Sequence, residues 1–381
     1  MDSPSILILT AGFGDGHNSA ARSIFEALQA ETKDRVRAVV VDLFEDAAPV
    51  TGALYKWCYR QIITYLPGLW HWLFVKSSRM NFDSLWWDHL VGIGAALERR
   101  LQSHQPDLIV LTYPVYPYFI SAGRSRPLPA PPVFMVVTDS ITIHPVWLQG
   151  KVDRLFVTDR FSQEVAQAGL AWPVPVEVSG FPVAPVFREF PARAPEADPH
   201  CLKVIYFAST ARSHVAANLR GLLEHLPARA GLTVVMGRHE SRLRPLVKEL
   251  LQVFPHVPVQ LLGWTRDVPR LLMEHDVAVS KAGGATVHEC LAAGIPLLVN
   301  YIIPGQEEGN ALLLERLGCG IRSVDPERTG ALLAAIIVDG RLGAMRRAMA
   351  LHRRPEGTLR IVREILEALE SKPLLPASEV V

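Results

Sequence analysis

Residues 8–28 are ILTAGFGDGHNSAARSIFEAL. The stretch begins with the end of an apolar run. Three glycines at alternate positions follow, and then apolar residues recur at helical spacing. An apolar strand, a glycine loop and an amphipathic helix in this order form the opening unit of a parallel α/β sheet. This unit predicts the fold class of the whole chain.

The same alternation of short apolar runs and longer helical patterns continues to residue 323. Runs of this kind are typical of buried strands in a parallel sheet that is covered by helices on both faces. The strands predicted in the first half are residues 6–10, 37–42, 108–112, 133–139, 154–158 and 176–180. Those predicted in the second half are residues 202–209, 232–237, 258–264, 277–281, 296–301 and 319–323. Each half therefore has enough strands for a doubly wound α/β domain of its own.

A chain of 381 residues exceeds the usual size of one domain. Prolines accumulate between residues 173 and 199, where the apolar periodicity fades, so this stretch is predicted to be an ordered linker. We place the first domain at residues 1–190 and the second at 191–355. The amphipathic segment TLRIVREILEAL (358–369) predicts a final helix within residues 356–381, which we expect to pack back toward the first domain.

The composition gives little support to several kinds of partner. The chain has 39 Lys and Arg against 38 Asp and Glu, so it lacks the overall basic field that holds nucleic acids. Its four cysteines form no CxxC pair, which indicates neither a zinc site nor a disulfide framework and favours a reducing cytoplasm.

Membrane contact is expected to be peripheral. The first residues lack a basic signal-peptide start, and the longest apolar stretch, residues 62–75, is short and interrupted by proline and glycine. Residues 55–87 hold five of the eight tryptophans together with four Lys and Arg, a composition that suits the water–lipid interface. The alternative is that these aromatic rings pack in the core, and both can hold for different faces.

The glycine loop carries a candidate for chemistry. Its spacing is neither the dinucleotide fingerprint nor a phosphate-binding Walker loop. His17 stands at the mouth of the predicted sheet, where an imidazole is suited to accept a proton, although a capping or packing role is the alternative. Asn18 or Ser19 is predicted to cap the following helix.

A second candidate site lies between residues 276 and 320. The loop from Lys281 to Thr286 is rich in small residues and leads into a helix that carries Glu289, a geometry that can hold a diphosphate on backbone amides. A carboxylate so placed can accept hydrogen bonds from a ribose. The alternative is a plain turn with Glu289 near the helix N-terminus. The loop PGQEEGN (304–310) is expected at the same edge of the sheet.

Six motifs together resemble a known family: GFGDGHNSAA, VVTDSITIHPVW, GFPVAPVF, GW, SKAGGATVHE and PGQEEGN. They are similar to those of the monogalactosyldiacylglycerol synthases and processive diacylglycerol glucosyltransferases. More distantly, they resemble the N-acetylglucosaminyltransferase that makes the second lipid intermediate of peptidoglycan. The resemblance implies a GT-B fold, in which two Rossmann-like domains face each other across a cleft. It also implies inversion by direct displacement, with no cofactor and no metal.

The resemblance assigns the first domain to the lipid acceptor. His17 is then the leading candidate for the base that deprotonates the acceptor hydroxyl. Asp139 either orients His17 or is itself the base. Further acceptor-side residues are Gly14, Gly16, His144 and Trp147, of which His144 is either a shaping or an accessory residue.

The resemblance assigns the second domain to a UDP-sugar. Glu289 would bind the ribose, Arg238 would offset the charge of the leaving UDP, and Asn310 would support its loop. The residues expected at the diphosphate are Gly283, Gly284 and Thr286; those at the uracil are Gly263, Trp264 and Thr265; and those at the sugar are Gln306 and Glu307. Lys281, Pro304 and Gly305 are further residues expected to bind the donor.

Two departures from the family pattern concern the donor site. Residues 207–219 contain no glycine where the family has a glycine-rich loop, so the hydroxyls of Ser209, Thr210 and Ser213 are the candidates to replace amide contacts there. His288 precedes Glu289, where the family usually has a small residue or threonine. This histidine is either a neutral surface change or a change in the nucleotide pocket.

The expected function is transfer of galactose or glucose from a UDP-hexose to diacylglycerol or a related lipid. The protein would act at the cytoplasmic face of the membrane, bound to anionic lipids and without nucleic acid. The alternatives are a polyprenyl-linked or other acceptor, an enzyme like a UDP-sugar 2-epimerase, and an inactive regulator that binds nucleotide sugars.

Overall fold

The computed structural model describes residues 3–47, 49–82, 91–122, 130–191, 202–227, 229–323 and 325–371. Two parallel six-stranded sheets organise the chain, with strand orders β2-β1-β3-β4-β5-β6 and β12-β11-β10-β7-β8-β9. The first sheet contains β1 (Ser5–Thr10), β2 (Arg37–Asp42), β3 (Leu108–Leu111), β4 (Val133–Val136), β5 (Arg154–Val157) and β6 (Val176–Val178). The second contains β7 (Lys203–Phe207), β8 (Gly231–Val235), β9 (Val259–Leu262), β10 (Val277–Lys281), β11 (Leu297–Tyr301) and β12 (Gly320–Arg322). Each strand lies in one of the twelve predicted runs, to within a residue at the ends.

Helices cover both faces of each sheet. Those that follow the strands of the first sheet are α1 (Asp15–Thr32), α2 (Leu43–Ala47), α3 (Pro49–Tyr65), α4 (Pro67–Ser77), α5 (Val91–His104), α6 (Tyr116–Ala122) and α7 (Arg160–Gly169). Those of the second half are α8 (Arg212–His225), α9 (Glu240–Val253), α10 (Val268–Glu274), α11 (Gly284–Ala293), α12 (Glu308–Arg316), α13 (Thr329–Val338), α14 (Arg341–His352) and α15 (Gly357–Glu370). The fold class predicted from the sequence is confirmed.

Strand order places the candidate sites. In an open parallel sheet, ligands bind at the carboxyl ends of the strands where the order reverses direction. The reversal lies between β1 and β3 in the first sheet, and between β7 and β10 in the second. The glycine loop follows β1, and the small-residue loop before α11 follows β10, so both sequence candidates stand at these positions.

Helix α1 begins earlier than the sequence suggested. Gly14 is its N-cap residue, with a φ of 94° that favours glycine, and no side chain caps the helix. The side chain of Asn18 instead accepts a hydrogen bond from the Thr10 hydroxyl at 2.9 Å. The predicted cap at Asn18 or Ser19 was therefore wrong, and His17 lies in the first turn of the helix rather than in the loop.

Helix α15 packs on the first sheet. Leu359, Ile361 and Ile365 share one apolar cluster with Ile6 of β1 and Ile24 of α1. Thr358 donates a hydrogen bond to the carbonyl of Val183, which fixes the start of the helix. The end of the chain thereby completes the core of its first half. The domain bounds stay predictions, since residues 192–201, around the proposed boundary, and the tail at 372–381 lie outside the described residues.

The two halves meet strand end to strand end. A Cβ on Gly284 would lie 2.5 Å from the carbonyl oxygen of Thr138, so the first turn of α11 approaches the loop after β4 closely. A Cβ on Gly309 would lie 1.8 Å from the carbonyl oxygen of Ser140. Both positions need glycine, because any side chain would push the halves apart.

The aromatic segment has two different faces. On α3 and α4, Trp57 and Trp72 are exposed, whereas Tyr59, Trp70 and Phe74 turn inward and contact one another or neighbouring rings. The core-packing alternative therefore holds for the inner face, and the outer face leaves apolar rings in solvent. Trp86 and Trp87 lie outside the described residues. Every helix in the described ranges is too short or too polar to span a bilayer.

Candidate active site

His17 is almost fully buried beneath the cleft. Its Nδ1 lies 3.0 Å from the Thr138 hydroxyl, and the ring of Tyr113 packs edge-on against the imidazole. Burial lowers the pKa of His17 to about 4, and a hydrogen bond to the backbone of Thr112 only partly opposes this effect. The imidazole is therefore neutral at pH 7.

Asp139 follows β4 and faces the same space. Its carboxylate accepts a hydrogen bond from the Trp147 indole nitrogen at 2.9 Å. Burial raises the pKa of Asp139 to about 7; this hydrogen bond opposes the rise, and the charge of Glu307 adds to it. Since Glu307 belongs to the second half of the chain, Asp139 lies near enough to that half to be affected by its charge.

His17 and Asp139 are neighbours through Trp147. The indole ring lies 5.9 Å from the imidazole, centroid to centroid, while its nitrogen binds the Asp139 carboxylate. The hydrogen bonds described for His17 go to the Thr138 hydroxyl and the backbone of Thr112, and the one described for Asp139 comes from Trp147. A direct orienting contact from Asp139 to His17 stays a prediction.

His144 connects α4 to the segment that follows Asp139. Its Nε2 lies 3.1 Å from the Ser77 hydroxyl at the end of α4, and its Nδ1 accepts from the backbone N–H of Val146. The ring of Phe74 packs edge-on against it, with centroids 4.7 Å apart. His144 thus ties α4 to the segment that carries Trp147, an arrangement that suits the shaping role.

Two helix N-termini converge on the donor side of the cleft. Gly283 and Gly284 open α11, and Gly16 in the first turn of α1 faces them: a Cβ on it would lie 3.9 Å from the amide nitrogen of Ala285. Thr286 lies in the same first turn of α11. Free amides and aligned dipoles at two facing helix starts favour a bound anion such as a diphosphate.

Glu289 lies in the second turn of α11, partly buried in the cleft wall. Burial raises the pKa of Glu289 to about 7, and the nearby charge of Asp15 on α1 raises it further. Two acidic groups from facing helices therefore lie close together here. A ligand that donates hydrogen bonds, such as a ribose diol, would compensate for the lost hydration of this carboxylate.

The loop before α12 is braced from within. Both oxygens of the buried Glu307 carboxylate have partners, since one pairs with Lys281 and the other accepts from the N–H of Ile303 at 3.1 Å. Asn310 accepts from the N–H of Ser140 and donates to the carbonyl of Ala282. Lys281, Glu307 and Asn310 therefore fix the loop's shape.

Pro304, Gly305 and Gln306 stand at the tip of that loop. Gly305 has a φ of 82° and packs so closely on Phe74 of α4 that a Cβ would lie 2.6 Å from the ring. Gln306 accepts a hydrogen bond from the Tyr59 hydroxyl of α3 at 2.9 Å. The tip is thus held by the inner face of the aromatic segment.

The predicted uracil residues form a separate group. Trp264 is half exposed after β9, with the guanidinium groups of Arg238 and Arg266 over its ring. A Cβ on Gly263 would lie 1.8 Å from a carboxylate oxygen of Glu240, so a larger residue there would displace that side chain. Thr265 accepts from the N–H of Asp267. Strands β7 and β8 separate this group from β10, so it stands toward the far edge of the sheet.

The glycine-free loop after β7 presents few hydroxyls to a ligand. Ser209 and Ser213 are exposed, and Thr210 is buried. The Thr210 hydroxyl has no hydrogen-bond partner among the described residues, while its carbonyl accepts from Arg242 at 3.4 Å. A contact of these hydroxyls with the diphosphate stays a prediction.

His288 lies at the contact between the two halves. Its Nε2 is 2.9 Å from the Ser140 hydroxyl, and its ring stacks on Phe181 with 5.1 Å between centroids. Burial lowers the pKa of His288 to about 4, so the ring is neutral. His288, which departs from the family pattern, is therefore buried and joins the two halves beside Asp139. This position excludes a neutral surface change.

Sequence reasoning missed an ion cluster below the glycine loop, centred on the buried Lys56. Lys56 of α3 binds Asp42 at 2.6 Å and Glu45 at 2.7 Å, and the Asp42 carboxylate also accepts from the N–H of Gly12 at 2.8 Å. A Cβ on Gly12 would lie 3.0 Å from the Lys56 ammonium nitrogen. The aspartate that ends β2 was visible in the sequence, but nothing marked the lysine as its partner.

Comparison with known proteins bears on the family resemblance. The family model described as monogalactosyldiacylglycerol (MGDG) synthase matches residues 17–183, which span the His17 and Asp139 elements. The resemblance to the MGDG synthase family is confirmed. Among curated relatives, the processive diacylglycerol beta-glucosyltransferase of Bacillus pumilus is 26% identical over 323 residues, which cover 83% of this chain and 82% of the relative.

Two solved structures extend the comparison over both halves. Acinetobacter baumannii MurG superposes with a TM-score of 0.59 and 14% identity, covering 96% of this chain and 99% of MurG. Phytolacca americana UGT2, solved with UDP-2-fluoroglucose and pterostilbene, gives a TM-score of 0.59 and 11% identity, with 96% and 100% covered. At these identities the likeness shows the fold alone. Together with the two facing sheets, it confirms the GT-B fold expected of an MGDG synthase relative.

Proposed function

We propose that the protein is an inverting glycosyltransferase that moves a hexose, galactose or glucose, from a UDP-sugar to diacylglycerol or a related membrane lipid. The observation that carries this proposal is the convergence of the α1 and α11 N-termini beside the buried His17 and the partly buried Asp139. An anion site and a proton acceptor thus face each other across one cleft. The family match and the diacylglycerol glucosyltransferase relative support the reaction and its lipid acceptor.

The donor would be held on the second half. The diphosphate would lie on the amides of Gly283 and Gly284, and Glu289 would accept from the ribose. The fold neighbour solved with UDP-2-fluoroglucose supports a nucleotide-sugar donor. Because two helix N-termini meet the charge of the departing UDP, the proposed reaction needs no metal ion and no cofactor.

The proton of the acceptor hydroxyl needs a base. His17 is the choice from the family resemblance, and its neutral imidazole can accept a proton. Asp139 is the second candidate, and its pKa of about 7 favours it, because a general base works best with a pKa near the working pH. An imidazole with a pKa of about 4 holds a proton far less strongly. We therefore propose Asp139 as the general base that takes this proton, and His17 as a positioning residue beside Trp147.

The proposed step is a direct displacement. The acceptor oxygen attacks the anomeric carbon as Asp139 takes its proton. The bond from that carbon to the diphosphate oxygen breaks, and UDP leaves with the electron pair. Attack from the side opposite the leaving group inverts the configuration at the anomeric carbon.

The outer face of α3 and α4 would bind the membrane that contains the lipid acceptor. Trp57 and Trp72 are exposed there, and the Lys76 ammonium lies 4.8 Å from the centre of the Trp72 ring. Aromatic rings with basic neighbours suit the headgroup layer and anionic lipids. We propose peripheral binding at the cytoplasmic face of the membrane.

The function is tested by incubating the protein with UDP-glucose, UDP-galactose and diacylglycerol liposomes, with products identified by mass spectrometry. A hexosyl-diacylglycerol of inverted configuration is expected. If hexose is transferred only to a polyprenyl-linked or other long-chain alcohol, the acceptor is that alcohol and not diacylglycerol. An epimerised UDP-sugar without transfer, or binding without any turnover, would contradict the proposal.

A further inference from the structure

One hydrogen bond links the inner face of the aromatic segment to the sugar loop. The Tyr59 hydroxyl donates to Oε1 of Gln306 at 2.9 Å, across the cleft and 247 positions away in sequence. Tyr59 belongs to α3 in the first half, and Gln306 precedes α12 in the second half. The contact therefore joins the two halves at the loop expected to face the transferred hexose.

The Tyr59 ring is held firmly on its own side. It packs edge-on against Phe13 of the glycine loop, with centroids 5.7 Å apart, and against Trp70 of α4, with centroids 5.1 Å apart. One turn earlier on α3, Lys56 is buried in its ion cluster with Asp42. The hydroxyl thus has a fixed position relative to the glycine loop.

The hydroxyl is available as a donor. Burial raises the pKa of Tyr59 above its usual range, and the negative charges of Glu307 and Asp139 raise it further. The phenol therefore keeps its proton. Because the Gln306 amide oxygen accepts the hydrogen bond from this hydroxyl, the amide nitrogen is the group left to meet a ligand.

We propose that Tyr59 is a positioning residue that fixes the Gln306 side-chain amide so that its nitrogen donates to a hydroxyl oxygen of the hexose on the UDP-sugar. This inference rests on the proposed function. A fixed donor distinguishes hexoses that differ in the direction of one hydroxyl, whereas an amide free to rotate can offer its oxygen or its nitrogen. Tyr59 acts through Gln306 and does not itself touch the sugar.

The test uses the full-length Tyr59→Phe variant, which keeps the ring packing and removes only the hydroxyl. Its matched control is Tyr65→Phe, since the exposed Tyr65 on the same helix also bridges the halves, through Arg242 at 3.0 Å, but does not reach the sugar loop. Calorimetry gives the affinity of each variant for UDP-glucose, UDP-galactose and UDP.

Tyr59→Phe should weaken binding of the preferred UDP-hexose about 3- to 10-fold and leave UDP affinity unchanged. The ratio of the affinities for UDP-glucose and UDP-galactose should therefore move closer to one. Gln306→Ala should narrow the ratio by the same amount, and the double variant should add nothing further. Tyr65→Phe should keep the wild-type ratio. An unchanged ratio in Tyr59→Phe overturns the proposal, and so does an equal loss for UDP and UDP-hexose, which would indicate a merely structural role.

Binding needs no acceptor, so the outcomes separate this inference from the proposed function. A wild-type protein that binds UDP-hexoses but glycosylates no lipid contradicts the function while the Tyr59 result still decides the inference. A wild-type protein that binds UDP and its hexoses equally overturns the inference alone. A wild-type protein without affinity for any of them overturns both.

Discussion

The two walls of the cleft are built differently. On the first half, Asp139 and His17 lie among the rings of Trp147 and Tyr113, and burial lowers the pKa of His17 to about 4 and raises that of Asp139 to about 7. On the second half, α11 opens on Gly283 and Gly284, and the ion pair of Lys281 with Glu307 stiffens the next loop. A proton acceptor needs a wall that excludes water, whereas a diphosphate needs bare backbone at a helix start. The difference predicts that changes on the first wall alter turnover and changes on the second alter nucleotide affinity.

The largest effect should come from Asp139→Asn. Removing the group that takes the proton should lower kcat by about 10²- to 10⁴-fold, the usual contribution of a general base. Affinity for UDP, measured by calorimetry, should stay at the wild-type value. Asp153→Asn is the control, because the Asp153 carboxylate accepts from the N–H of Val133 at the start of β4, the opposite end of that strand from Asp139. A parallel loss of UDP affinity in Asp139→Asn would contradict the prediction that the first wall affects turnover and the second affects nucleotide affinity.

Glu289→Ala should act on the other wall. Loss of a carboxylate that accepts from the ribose should weaken UDP binding about 10- to 100-fold, with a smaller change in kcat at saturating donor. Glu308→Ala is the matched control, since Glu308 is exposed in the first turn of α12. Unchanged UDP affinity in Glu289→Ala would contradict the ribose role.

His17→Ala should have a smaller effect on turnover than Asp139→Asn. The imidazole packs beside the Trp147 indole, which in turn binds Asp139. Removal of the imidazole should therefore make the position of the Asp139 carboxylate less fixed, but the base itself remains. We expect kcat to fall about 10-fold, with UDP affinity nearly intact. Paired turnover and calorimetry measurements give the comparison. A loss larger than that of Asp139→Asn would return the base role to His17.

The sequence predicted much of the fold because parallel strands are apolar on both faces. All twelve runs were recognisable without knowledge of any partner. The cleft-facing loops were also predictable, since the carboxyl ends of such strands converge where the strand order reverses. Helix α1 was misjudged at its start because a glycine N-cap leaves no polar side chain as a signal.

The contacts that tune the site were not visible in the sequence. Trp147 binds Asp139 from eight positions away, in a segment without regular periodicity, and Tyr59 meets Gln306 from the other half of the chain. The role of His288 likewise depends on Ser140, 148 positions away. Such pairs depend on how the two halves dock, and no local pattern of residues records that docking.

The pH dependence of kcat/KM for the acceptor, at saturating donor, tests the central claim most directly. The base must be ionised to accept a proton, and the pKa of Asp139 before the acceptor binds is about 7. We therefore predict that kcat/KM falls about tenfold per unit as the pH drops below 7 and levels off above it, and that the residual activity of Asp139→Asn lacks this step. A wild-type kcat/KM that stays flat from about pH 5.5 to 8.5 would contradict the assignment and point to His17, whose pKa of about 4 leaves it unprotonated throughout that range.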